Sequence, residues 1–232
     1  MLFRSCLLAK GDTKAALNQF NAVTQNPKST LYAQAMYRAG ECAMQSGDHD
    51  EAVKRFAVFR DQPPYQNLAG LTDRALLRLG HALEKQKQWE PSRRAHELLV
   101  QRFPQSPWAL DARYGMGWAH QNQNQLDQAI AQYTQVANGV ATELGARAQL
   151  NIGLCKLAQK KYAEASSALL VVPFTFDYPQ LSALALVEAA RAFAENNQKD
   201  EAIKLLESVL RDYPDTESAE AAKTRLAELK KG

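Results

Sequence analysis

Cysteine is scarce in this chain, and the three present, Cys6, Cys42 and Cys155, are an odd number set far apart. That excludes a disulfide framework and any closely paired cysteine motif for metal or redox chemistry. Net charge is nearly absent too. It is +3 over 232 residues, and no block of about five or six like charges occurs, which disfavours nucleic acid as a partner. No segment approaches the ~18 consecutive apolar residues of a membrane span. Met1 to Lys10 offers one basic residue and a short apolar patch, without the apolar core of an export signal. The zinc-protease HExxH, the hydrolase GxSxG and the Gly-rich phosphate loop are all missing. The four histidines, His49, His81, His96 and His120, show no i, i+4 pair on a helix. The expectation is a chain without catalysis, cofactor or metal.

What the chain does have is a period. Gly40 and Ala52, Gly80 and Ser92, Gly117 and Ala129, Gly153 and Ala165, and Ala190 and Ala202 are pairs of small residues twelve apart, and successive pairs are roughly 36 to 40 residues apart. Self-similarity at that period points to one helix-turn-helix unit stacked repeatedly. A larger residue follows four positions after each second small one: Phe20, Phe56, His96, Tyr133, Leu169 and Leu206. Small residues let the two helices of a unit approach, and the larger residue is expected to fill the gap between adjacent units. In the second unit the spacing predicts helix A over Leu31 to Gln45, a break at Gly47-Asp48, and helix B capped by Asp48 and running to about Arg60. The acidic Asp48-His49-Asp50-Glu51 run suits a helix start better than a metal site. Pro27, Pro63-Pro64, Pro104, Pro173 and Pro214 are expected to stop helix B in their units, while Ala141 stands where such a proline would be.

These residues resemble the tetratricopeptide repeat, over almost the whole chain. That family places a small residue on its first helix, an alanine on its second, an aromatic one turn on and a proline near the end. Ser92 in place of alanine and Pro91 near the start of a helix B are departures. The resemblance implies a right-handed all-α solenoid of about six repeats in a single domain over 1–232. The expected units are an incomplete first repeat at 1–28, then 29–66, 67–105, 106–141, 142–177 and 178–214, with a capping helix at 215–232. Counting back twelve from Ala16 puts Arg4 at the small-residue position, so Met1 falls inside a first helix. The expectation is a fragment whose upstream sequence is not shown.

FPQSPWALDARYGMGWAH (Phe103 to His120) and YPDTESAEAAKTRLAEL (Tyr213 to Leu229) are similar to bacterial envelope repeat proteins of two kinds, the TolA-binding cell-division coordinators and the outer-membrane assembly lipoproteins. That implies a periplasmic or outer-membrane-associated scaffold if an export signal precedes the chain, and a cytoplasmic one otherwise.

The same resemblance implies a partner surface. Helix A of such repeats lines the concave face, with the positions three before and one after the small residue pointing inward. Here these are Tyr37 and Glu41, Leu77 and His81, Tyr114 and Trp118, Leu150 and Leu154, and Val187 and Arg191. None is the Lys and Asn combination with which chaperone-binding relatives clamp a terminal carboxylate. The expected contact residues are Tyr37, Arg38, Glu41, Leu77, Arg78, His81, Tyr114, Trp118, Asn151 and Arg191. A peptide with apolar anchors and acidic character would suit them. Tyr114 and Trp118 can equally pack between helices, and Trp89 reads as a core aromatic. The alternative uses of the scaffold are a structural role by self-association, or service as a regulatory domain cut from a larger protein.

Overall fold

The computed structural model describes residues 13–231. The expectations placed on Arg4 and Cys6 lie outside that range. Among the described residues are twelve α-helices. They are α1 (Thr13–Thr24), α2 (Tyr32–Ser46), α3 (His49–Asp61), α4 (Thr72–Lys85), α5 (Trp89–Arg102), α6 (Ala109–Asn122), α7 (Leu126–Ala137), α8 (Glu143–Ala158), α9 (Tyr162–Thr175), α10 (Pro179–Glu195), α11 (Lys199–Asp212) and α12 (Glu217–Lys231). This is an all-α solenoid of helical hairpins. Chain contacts divide it into two compact units, Met1–Ala119 and His120–Gly232. Within the first, each helix from α1 to α5 packs on the next, and within the second the same holds from α7 to α12.

One backbone device closes five of the hairpins. Seven residues after each helix A small residue stands a left-handed residue: Gly47 at φ 78°, Lys87 at 58°, Asn124 at 59°, Lys160 at 60° and Asn197 at 58°. The next residue's N–H reaches back to helix A in each case, as in Asp48 N to Ala43 O at 2.9 Å and Gln198 N to Phe193 O at 2.8 Å. These bonds satisfy carbonyls that a helix end otherwise leaves open. Glycine and asparagine suit the conformation. Lysine does not, so at Lys87 and Lys160 the hairpin geometry overrides residue preference. Asp48 caps α3 as its residue type predicts, its Oδ1 accepting from Glu51 N at 3.0 Å.

Packing corrects the expected role of the large residues. A Cβ on Gly40 would lie 2.6 Å from the Phe56 ring, one on Gly80 2.3 Å from His96, and one on Gly153 2.4 Å from Leu169. The large residue therefore lies directly against the helix A glycine of its own hairpin. His96 does both, because a Cβ on Gly115 of α6 would stand 2.4 Å from it as well. Pro173 also departs from expectation: α9 runs through it to Thr175. So near the end, a proline interrupts little of the hydrogen-bond ladder, and Phe176 N still closes on Val172 O at 3.0 Å. Where Ala141 replaces a proline, α7 ends at Ala137 and Gly139 N turns back to Val136 O at 3.0 Å.

Cys42 and Cys155 share one register, two residues after Gly40 and Gly153, and both are fully buried. Burial pushes each thiol up to about 11, which starves it of reactive thiolate. A Cys6→Ser variant is expected to ignore Ellman's reagent while folded and to release two thiols in denaturant. Rapid labelling of the folded variant would show that these helices open readily.

Candidate functional site

The first unit gathers most of the expected contact residues on helix A faces. Tyr37, Arg38 and Glu41 lie on α2, separated by three or four positions and so on one side of the helix. The Tyr37 hydroxyl donates to Glu41 Oε1 at 3.0 Å, and Arg38 Nη1 pairs with Glu41 Oε2 at 2.6 Å. Both carboxylate oxygens are thereby occupied. The Arg38 guanidinium stands 5.7 Å from the Tyr37 ring centroid and that of Arg74, on α4, 5.6 Å. Cations at that range are attracted to the ring face. Burial raises the Tyr37 hydroxyl pKa, and Glu41 adds to the shift while Arg78 opposes it. Arg78 itself is exposed.

The inward geometry needs correction at several positions. Tyr37 is 4% exposed, Leu77 5%, Leu150 5% and Val187 2%. A residue three before the glycine lies one turn back on the same helix side, so it enters the same seam between helices. Leu77 and Tyr37 are therefore core residues, Tyr37 with its hydroxyl turned to Glu41. Asn151 is buried as well, at 7%. The positions one after the small residue differ, since that step turns about 100° around the helix. Glu41, His81 and Leu154 are half-buried, and Trp118 and Arg191 are exposed. In α6, Tyr114 is half-buried. Arg191, in the second unit, is held by Glu188 Oε2 at 3.1 Å. Trp89 is half-buried, and Trp108 borders a cleft of about 650 Å³ with Phe103, Arg74 and Asp73.

A second cluster lies beside this face, and spacing along one helix does not reveal it. His81 and Glu84 are one turn apart on α4, and His96 comes from α5. Glu84 Oε1 is 2.9 Å from His96 Nε2 and accepts from Ser92 Oγ at 3.3 Å. The two imidazole rings meet edge to face at 5.5 Å. Burial holds the His81 pKa down to about 4, with His96 adding to the shift, so the ring is neutral at pH 7. His96 is fully buried, yet its Nδ1 has no hydrogen-bond partner among the described residues. One sequence signal points to it: His96 stands where the other units carry Phe, Tyr or Leu.

Comparison with known proteins places this architecture. Among curated proteins no sequence relative matches. Solved structures do match, at identities that establish the fold. MamA of Desulfovibrio magneticus RS-1 is 19% identical with a TM-score of 0.62, over 75% of this chain and 90% of that one. YrrB, described as a TPR protein with an unusual peptide-binding site, is 16% identical with a TM-score of 0.64, over 88% of this chain and 97% of that one. PilF of Pseudomonas aeruginosa is 15% identical with a TM-score of 0.64, over 97% and 95%. One tetratricopeptide-repeat family model matches residues 7–67 and 114–173, more than half of the chain. A second matches residues 74–106 and 184–216. With hairpins, register and sequence in agreement, the chain belongs to the tetratricopeptide-repeat family.

Proposed function

We propose that this chain is a non-catalytic scaffold that holds a peptide, or an extended segment of a partner protein, on the helix A face of its first unit. The observation that carries the reading is the cationic and aromatic surface on α2, α4 and α6. Arg38 and Arg74 stand over the Tyr37 ring and Arg78 acts on its hydroxyl, the Glu41 carboxylate is already engaged by Tyr37 and Arg38, and Trp118 is 38% exposed. An acidic segment with an aromatic or aliphatic anchor complements that surface. Arginine supplies charge and planar hydrogen bonding, and tryptophan supplies contact area at little entropic cost. YrrB, whose description names a peptide-binding site, supports the reading by likeness of fold. The repeat phrases at Phe103 to His120 and Tyr213 to Leu229 suggest service in a bacterial envelope assembly, which fractionation of source cells tests directly.

Arg78 and Trp118 are exposed, so substituting them should spare the fold. A cross-linked pull-down from source cells is expected to capture a partner with the parent chain. An Arg78→Glu, Trp118→Ala variant with an unchanged circular dichroism spectrum should lose it. Capture by the parent should also weaken as salt is raised, because exposed charges are screened. Equal capture by both proteins would remove this face from consideration. A second reading, self-association, is favoured by Phe174, 84% exposed beside Val171 at 39% on one side of α9. Under that reading sedimentation would show a dimer that Phe174→Ser dissolves.

A further inference from the structure

We propose that His81, Glu84 and His96 form a binding site for a divalent transition-metal ion of the zinc type. The proposal is independent of the peptide reading, since all three ligands belong to this chain. A ligand atom from each residue lies within 4.8 Å of the other two. A tetrahedral ion with bonds of about 2.0–2.2 Å needs its ligands roughly 3.4 Å apart. Small rotations of the half-buried His81 and Glu84 side chains on α4 towards the fixed His96 ring close that difference. Two imidazoles and one carboxylate are a donor set that suits zinc, and three protein ligands leave a fourth position for water or an incoming group.

Three features separate this cluster from an ordinary core contact. His96 is immobilised, its ring wedged so that a Cβ on either Gly80 or Gly115 would lie within 2.4 Å of it. Its polar surroundings are incomplete: Nε2 meets Glu84, but Nδ1 is buried without a partner. A fully buried imidazole is costly there, and the equivalent Phe56, Tyr133, Leu169 and Leu206 show that the architecture does not require one. The Ser92 hydroxyl meanwhile donates to the same Glu84 oxygen that faces His96, the kind of outer contact that orients a metal ligand. His81 and Glu84 are only half-buried, which gives an ion a way in.

The test is titration of the full chain, stripped with a chelator, using Zn2+ and then Co2+. The expected result is one tightly held equivalent, a raised unfolding temperature, and intense visible absorption from four-coordinate Co2+. His96→Leu should keep the fold, because Leu169 occupies the equivalent place against Gly153, and should lose that equivalent. His81→Gln, at a half-buried position, should lose it too, while His120→Gln should bind as the parent does. Absence of binding by the folded parent at 100-micromolar metal (on the order of the weakest useful site) would overturn the proposal. So would unchanged binding by folded His96→Leu and His81→Gln, or loss of binding in His120→Gln.

Discussion

Phe56→Ala is expected to destabilise the first unit by about 3–5 kcal/mol, the usual range for truncating a buried aromatic ring. Phe56 is fully buried, 5.8 Å from the Tyr37 ring and directly over Gly40. The informative experiment adds Gly40→Ala. Alanine is intrinsically better than glycine in a helix by about 1 kcal/mol. In the parent, however, its Cβ would lie 2.6 Å from the Phe56 ring. That ring has no free space to enter, so Gly40→Ala should cost about 1–3 kcal/mol. Once Phe56 is alanine the obstacle is gone, and the same substitution should stabilise. Urea unfolding of the four proteins, followed by circular dichroism, measures the change of sign as a coupling energy. Additive effects would mean that glycine and ring do not share one contact. Because each hairpin contacts mainly its neighbours, the loss should appear first in the first unit rather than in the whole chain.

The same pair of residues shows how far the sequence could be read. The twelve-residue spacing of small residues locates the hairpins, because close helix approach is possible only at certain register positions. Asp48 identifies its own cap by residue type. Lys87 and Lys160 do not identify themselves. A lysine gives no hint of a left-handed turn, and only its register with Gly47 and Asn124 marks it. Exposure along helix A was half legible. Glu41, His81 and Trp118 keep solvent-exposed surface, but Tyr37 and Leu77 lie one turn before a glycine and therefore follow it into the core. Asn151 is drawn inward as well. His81 and His96 went unpaired in the sequence because they meet across two helices, fifteen positions apart, where no one-helix spacing applies. A residue-by-residue comparison of units, rather than a search for motifs, is what isolates His96: it is the imidazole in a column of Phe, Tyr and Leu.

Removal of α12 (Glu217–Lys231) is expected to destabilise the second unit by about 3 kcal/mol and to make it adhesive. The helix contributes Ala222, which is fully buried, and the half-buried Leu226 and Leu229, packed with Ala190 and Leu206 of α10 and α11. At about 0.8 kcal/mol per buried methylene, two partly buried leucines and one alanine account for a loss of that order. The helix is also pinned by charge. Arg225 Nη1 donates to Val187 O at 3.2 Å and Nη2 faces Glu188 Oε1 at 3.4 Å, while Arg191 holds the other oxygen of Glu188. Glu188 is only 9% exposed, so loss of Arg225 leaves a buried carboxylate short of one partner. Arg225→Ala should therefore reproduce part of the effect without uncovering Leu206. A lowered urea midpoint for both variants, with dye binding to exposed apolar surface only in the deletion, would separate the ionic from the apolar contribution. If the deletion variant unfolds at the parent's midpoint and stays monomeric, α12 is an appended arm and Leu206 is sheltered by α10 and α11 alone. A helix that presents Glu and Lys outward and small apolar residues inward covers the apolar face of α10 and α11, which otherwise remains open to water.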